Sequence, residues 1–130
     1  MDFPEDLLYT KEHEWVRIEN GKAVIGITEY AQQELGDIVF VEFPTIGTEV
    51  EHMEPFGVIE SVKTVADLYS PLTGEVLDVN HDLETQPELI NSSPYDKGWI
   101  IEISINNTEE IDQLLSHNDY LAHLKEDIEE

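Results

Sequence analysis

Cysteine is absent from the 130 residues, which excludes disulfides, thiolate-bound zinc, iron–sulfur ligation and a cysteine nucleophile, although a thiol carried on an attached group stays possible. Positive charge is nearly absent too: 6 Lys plus Arg stand against 30 Asp plus Glu, a formal charge of −24. Such a surface repels phosphate backbones, because nucleic-acid affinity rests on Lys and Arg displacing condensed counterions. Nucleic acid and anionic membranes are therefore excluded as partners, and the charge disfavours self-association, so a monomer is expected. No apolar run approaches the roughly 18 residues needed to span a bilayer, and Met1-Asp2-Phe3-Pro4-Glu5-Asp6 is acidic where a targeting leader is basic. The expectation is a soluble, untargeted chain, cytoplasmic in a bacterium or in the mitochondrial matrix if it is a mature eukaryotic protein.

Catalytic signatures are missing as well. His13, His52, His81, His117 and His123 form no HExxH pattern and no local group of three at metal spacing. Asp78-Val79-Asn80-His81-Asp82 begins like a calcium loop, but Leu83 stands where the glycine belongs and Leu89 where the bidentate glutamate belongs. No GxSxG, Walker lysine or dinucleotide glycine fingerprint occurs. Neighbouring carboxylates carry no diagnostic weight in a chain with 30 acids.

What is present is a chain 40% hydrophobic and 8% aromatic, enough to close one modest core. Residues 14–19 and 22–27 are β-rich runs joined by Asn20-Gly21, a pair suited to a tight hairpin. Thr28 caps a short helix running through Glu34, with Gly36 at its terminus. Residues 38–43 return to extended chain, and 56–62 with 65–69 read as a second hairpin tipped by Lys63. Glu75 to Val79 is a strand, the polar stretch from Asn80 to Pro94 reads as a long surface loop, and Trp99 to Ile105 is the last strand. Thr108 opens a helix and Ser116 or Asn118 a second. Ile111, Leu114, Leu115, Leu121, Leu124 and Ile128 recur at helical spacing, so that one face docks on the body. The fold class is mostly β, one domain over 1–130 with a core at about 8–105 and a helical extension at about 108–128.

Lys63, one of five lysines, stands at the predicted hairpin tip among Glu60, Thr64 and Asp67. An exposed amine with the ordinary pKa of about 10.4 is mostly protonated and a weak nucleophile. It suits acylation by a partner enzyme better than chemistry of its own. On spacing and charge alone, an unmodified turn lysine is the ordinary reading, and both stay open.

The text around it is more specific. Phe56-Gly57-Val58-Ile59-Glu60-Ser61-Val62-Lys63, followed by Ser70-Pro71-Leu72-Thr73-Gly74-Glu75-Val76, resembles the lipoyl-attachment region of the glycine cleavage system H protein family. Tyr9, His13-Glu14-Trp15, Gly26-Ile27-Thr28, Ala31-Gln32, Leu35-Gly36-Asp37, Asn91-Ser92-Ser93-Pro94-Tyr95 and Gly98-Trp99 extend the resemblance over nearly the whole chain. Val62 and Thr64 flank the lysine where biotinyl domains carry methionine. A lipoyl domain of a 2-oxo acid dehydrogenase would be shorter and lack the Asn-Ser-Ser-Pro-Tyr loop and terminal helices.

The resemblance implies a flattened barrel-sandwich hybrid of two small antiparallel sheets. It also implies a non-catalytic carrier with lipoic acid amide-linked to Lys63 by a lipoate-attaching enzyme. Its partners would be the glycine decarboxylase P protein, the aminomethyltransferase T protein and the dihydrolipoamide dehydrogenase L protein. The P protein leaves an aminomethyl group on the lipoyl sulfur, the T protein passes its methylene to tetrahydrofolate, and the L protein reoxidises the dithiol. Glu14 and Asp67 match positions implicated in a cleft for the loaded arm. Glu12, Glu34 and Tyr30 depart from residues frequent in the family, so no role is carried over to them. The competing readings are an H-like protein relaying lipoyl groups to other enzymes, an unmodified acidic adaptor, and a Schiff-base lysine enzyme, the last disfavoured by exposure of the amine.

Overall fold

Asn20 and Gly21 both adopt positive φ, 51° and 77°, the left-handed pair that matches a two-residue hairpin to the twist of its strands. The computed structural model describes residues 1–129, with side chains through Glu126. Its elements run from β1 (Leu8–Tyr9), β2 (Glu14–Glu19) and β3 (Lys22–Ile27) through helix α1 (Glu29–Leu35) to β4 (Ile38–Glu42) and β5 (Glu49–Val50). There follow β6 (Pro55–Ser61), β7 (Val65–Tyr69), β8 (Gly74–Val79), the single turns α2 (Asp82–Thr85) and α3 (Leu89–Ser92), and β9 (Ile101–Ser104). A 3-10 segment over Thr108–Gln113 and helix α4 (His117–Glu129) complete the chain.

Two antiparallel sheets result, one of order β1-β2-β3-β9-β8-β5 and one of order β4-β6-β7. They form an open sandwich rather than a closed barrel, and Val16, Ile25, Ile59, Leu68, Val76, Ile101 and Ile103 belong to the shared core. Strand alternation sends Tyr9 and Trp15 to the opposite face of the larger sheet, where they form a second cluster with Leu7, Tyr120 and Leu124. The Tyr9 and Tyr120 rings stack there at 4.6 Å, which docks α4. Among the described residues no helix is long and apolar enough to cross a membrane.

Several expectations are corrected. The stretch from Asn80 to Pro94 is not a plain loop: α2 and α3 each bury one side chain, Leu83 and Ile90, and single turns are too short to leave a helical period in the sequence. The segment after Asn106 is 3-10 rather than α, and Asn107, not Thr108, caps it by accepting the Glu109 N–H at 3.1 Å. Ser116 precedes α4 and accepts the Asp119 N–H at 3.1 Å. Leu121 stays exposed while Tyr120 is fully buried, because the helix turns its phenol toward Tyr9. The Ile128 side chain lies outside the described residues. The last strand begins at Ile101 rather than Trp99, and β1 and β5 are two-residue strands with no sequence signal.

The Asn91–Tyr95 segment clamps α1. Asn91 donates to Gln32 Oε1 and to the Gly36 carbonyl, both at 2.9 Å, and accepts the Ile38 N–H at 2.9 Å. The Pro94 carbonyl accepts the Trp15 indole N–H at 2.9 Å, and the Tyr95 hydroxyl accepts the Glu29 N–H at 2.9 Å. Replacing Asn91 with Ala orphans a carbonyl and an N–H at the end of α1. The expected loss is about 2 kcal/mol of unfolding free energy, read by urea denaturation, with faster amide exchange confined first to α1.

Candidate functional site

The hairpin of β6 and β7 pairs Glu60 with Val65 and leaves Ser61 to Thr64 as its tip. The Ser61 N–H donates to the Thr64 carbonyl at 2.8 Å. The return bond goes to a side chain: Ser61 Oγ accepts the Thr64 N–H at 3.1 Å and the Lys63 N–H at 3.3 Å. A buried serine thus closes the turn, and Val62, Lys63 and Thr64 all keep negative φ. The Val62 N–H donates to the Asp37 carbonyl at 3.0 Å, tying the tip to the chain after α1. Lys63 is exposed, and its stem lies over Gly36, where an added Cβ would stand 3.4 Å from Lys63 Cε. That distance is ordinary contact, and it is the φ of 86° at Gly36 that favours a residue without a side chain.

Beside the hairpin lies a cleft of about 470 Å³ between α1, the start of β2 and β7. Ile27, Leu35, Ile59 and Leu68 give it apolar wall, while Glu12, Glu14, Glu34 and Asp67 bring four carboxyls. Glu14 and Asp67, far apart in sequence, are therefore brought together, Glu14 buried and Asp67 exposed. Lys63 is not among the lining residues; it stands four residues before Asp67, about 13 Å along an extended strand.

Glu14 is the first residue of β2 and lies on the strand face that Val16 turns to the core. Its Oε1 accepts the Thr10 hydroxyl at 2.6 Å and its Oε2 faces the Tyr69 N–H at 3.5 Å. Burial raises its carboxyl from 4.5 to about 7 against those donors, with Glu12 adding repulsion. Near neutral pH it is therefore poised between neutral and charged.

Sequence reasoning left four lining residues without a role. Glu12 and Glu34 are exposed at the mouth, and the rings of His13 and Tyr30 lie 4.8 Å apart between them and the core. His13 has φ 72° and its Nδ1 lies 2.9 Å from the Tyr120 hydroxyl, which is 2.9 Å from Thr28 Oγ1. Thr28 caps α1 by accepting the Ala31 N–H. A left-handed, non-glycine histidine before a strand is the signal that could have flagged this corner, but backbone sign is not readable from one sequence.

Comparison with known proteins shows the family. A family model described as glycine cleavage H-protein matches residues 7–127. The glycine cleavage system H protein of Brevibacillus brevis is 55% identical over 126 residues, 97% of this chain and 100% of that protein. The one of Geobacillus kaustophilus is 56% identical over 126 residues, 97% and 99%, and the one of Bacillus subtilis 51% over 127 residues, 98% and 100%. A crystal structure of the H protein of Mycobacterium marinum superposes with a TM-score of 0.84 at 33% identity, covering 95% of this chain and 99% of the other. End-to-end similarity at this level, on the same two-sheet fold, means that the chain belongs to the glycine cleavage H-protein family, the lipoyl carriers of the glycine cleavage system.

Proposed function

We propose that lipoic acid is amide-linked to Lys63 and that the chain is the non-catalytic shuttle of glycine cleavage, serving the P, T and L proteins in turn. A lipoate-attaching enzyme supplies the cofactor, and the bacterial sources of the relatives support a cytoplasmic setting. The observation that carries the reading is one exposed lysine on a serine-braced turn next to an apolar cleft that ends in carboxyls. An exposed amine lacks the desolvation that Schiff-base lysines need, so Lys63 acts as a passive acceptor.

The residues fit such a group. Ile27, Leu35, Ile59 and Leu68 suit an alkyl chain, and Glu14 with Asp67 suits a cationic head. When bound, the group supplies a disulfide–dithiol couple that takes up and gives back the aminomethyl fragment of glycine. Ser61 holds the anchor still, and α1 walls the cleft from water. Glu14 answers the charge it meets: a cation beside it favours the ionised carboxyl, so entry of an ammonium group draws its midpoint down from about 7 and releases a proton.

Acylation of Lys63 takes the formal charge from −24 to −25, one positive charge being removed. A field of one sign speeds encounter with basic docking faces. Raising ionic strength from about 0.01 M to about 1 M cuts the Debye length from about 30 Å to about 3 Å. The second-order rate of aminomethyl transfer to the T protein is expected to drop at least severalfold over that range, and a flat response contradicts steering.

Intact mass and peptide mapping after expression with lipoate should find the lipoyl mass on Lys63, and Lys63→Arg should abolish both the mass and glycine–CO₂ exchange. An arginine variant with full exchange would end this reading. The buried Glu14 carboxyl holds a proton in the folded chain between 4.5 and about 7 that the unfolded chain has lost, so its contribution to stability falls as pH rises through that window. Glu14→Gln is expected to gain on wild type by roughly 3 kcal/mol between pH 4 and pH 8. Paired urea titrations at the two values read it directly.

A further inference from the structure

We infer that Thr10 is the positioning residue of the cleft, its hydroxyl fixing the Glu14 carboxyl in one orientation and sustaining the negative charge presented to a cationic guest. The inference rests on the carrier reading above for its guest, but on this chain's own hydrogen bonds for its substance.

Thr10 and Glu14 are bonded to each other three times across a short loop. The Thr10 N–H donates to the Glu14 carbonyl at 3.0 Å, the Glu14 N–H donates to Thr10 Oγ1 at 3.1 Å, and the Thr10 hydroxyl donates to Glu14 Oε1 at 2.6 Å. The His13 N–H donating to the Thr10 carbonyl at 3.1 Å closes the same loop. Because Oγ1 already accepts a backbone N–H, its proton is directed outward, toward the carboxylate. Both side chains are buried, at 4% and 2% exposure, so no water competes for that proton. The second carboxyl oxygen has only the longer 3.5 Å approach of the Tyr69 N–H. The hydroxyl is thus the short contact that orients the group, and donation to an anion is among the stronger hydrogen bonds available inside a protein.

Apart from backbone N–H donors, burial and the neighbouring Glu12 oppose a charge on Glu14. Glu12 and His13 share its loop, Asp67 and Tyr69 face it from β7, Tyr30 and Glu34 from α1, and the Tyr120 phenol from α4. Three of that set are carboxyls, Glu12 adding repulsion, and the phenol of Tyr120 stays neutral because burial pushes its pKa well up. Thr10 is the side-chain donor that offsets burial at this carboxyl, beside the backbone N–H groups of Tyr69 and Glu14. It sits outside the cleft lining, so it acts through Glu14 rather than on the guest.

The test is a ¹³C NMR titration of the Glu14 carboxyl in the full chain, with and without the Lys63 modification. Thr10→Val keeps the shape and removes the hydroxyl, and is expected to raise the Glu14 midpoint by about one pH unit. Thr10→Ala removes it without adding bulk and should give the same rise, which keeps the inference open to refutation if the valine variant does not fold. Thr10→Ser restores the donor and should return the midpoint to wild type. An unmoved midpoint in the valine and alanine variants, or an equal rise in the serine variant, overturns the inference. Those outcomes are independent of the carrier reading, because the titration needs no cofactor. An unmodified Lys63 in cells supplied with lipoate would overturn the carrier reading and leave the titration result standing.

Discussion

The site depends on the free edge of one strand. β7 pairs only with β6, so its other side presents backbone N–H and C=O groups that no strand satisfies. Elsewhere such an edge would invite pairing with another chain; here α1 and the start of β2 lie alongside it, and the space left between them is the cleft. Glu14 Oε2 faces one of the freed donors, the N–H of Tyr69. The register that pairs Glu60 with Val65 then settles the rest, since it puts Lys63 at the tip, Asp67 at the mouth and Leu68 in the wall. A slip of one residue would exchange Asp67 and Leu68 between faces.

That geometry explains how a chain with 30 acids comes to bury one of them at the cleft. Most of its carboxylates are solvated and weakly coupled to anything in particular. Glu14 is the carboxylate found buried among the described residues, and burial turns an ordinary acid into one balanced near neutrality. The hydrogen bonds from Thr10 and Tyr69 and the proximity of Glu12 set where that balance falls. A cation arriving in the cleft then meets a group whose charge responds to it.

Elements built from local rules were legible. Asn20-Gly21 announced the first hairpin, Thr28 and Gly36 bracketed α1, and the apolar runs on either side of Lys63 announced the second hairpin, each because turn and cap preferences act within a few residues. Glu14 and Asp67 were singled out only through family resemblance, for nothing local distinguishes them from the other acids, and the structure places both in the cleft lining. The strands β1 and β5 and the turns α2 and α3 were not legible, because two to four residues carry no period and are held by distant partners such as Val16 opposite Leu8. The same holds for Tyr120, whose burial answers to Tyr9 across the fold.

By itself the sequence determined the charge, the absence of thiols, the hairpins and the single lysine at a tip, since composition and short-range conformational preference need no third dimension. Only the tertiary structure decided which carboxyl is buried, which serine closes the turn, which asparagine holds α1 and how wide the cleft is. Those outcomes depend on removing particular groups from water, and desolvation is a property of the assembled fold rather than of any segment.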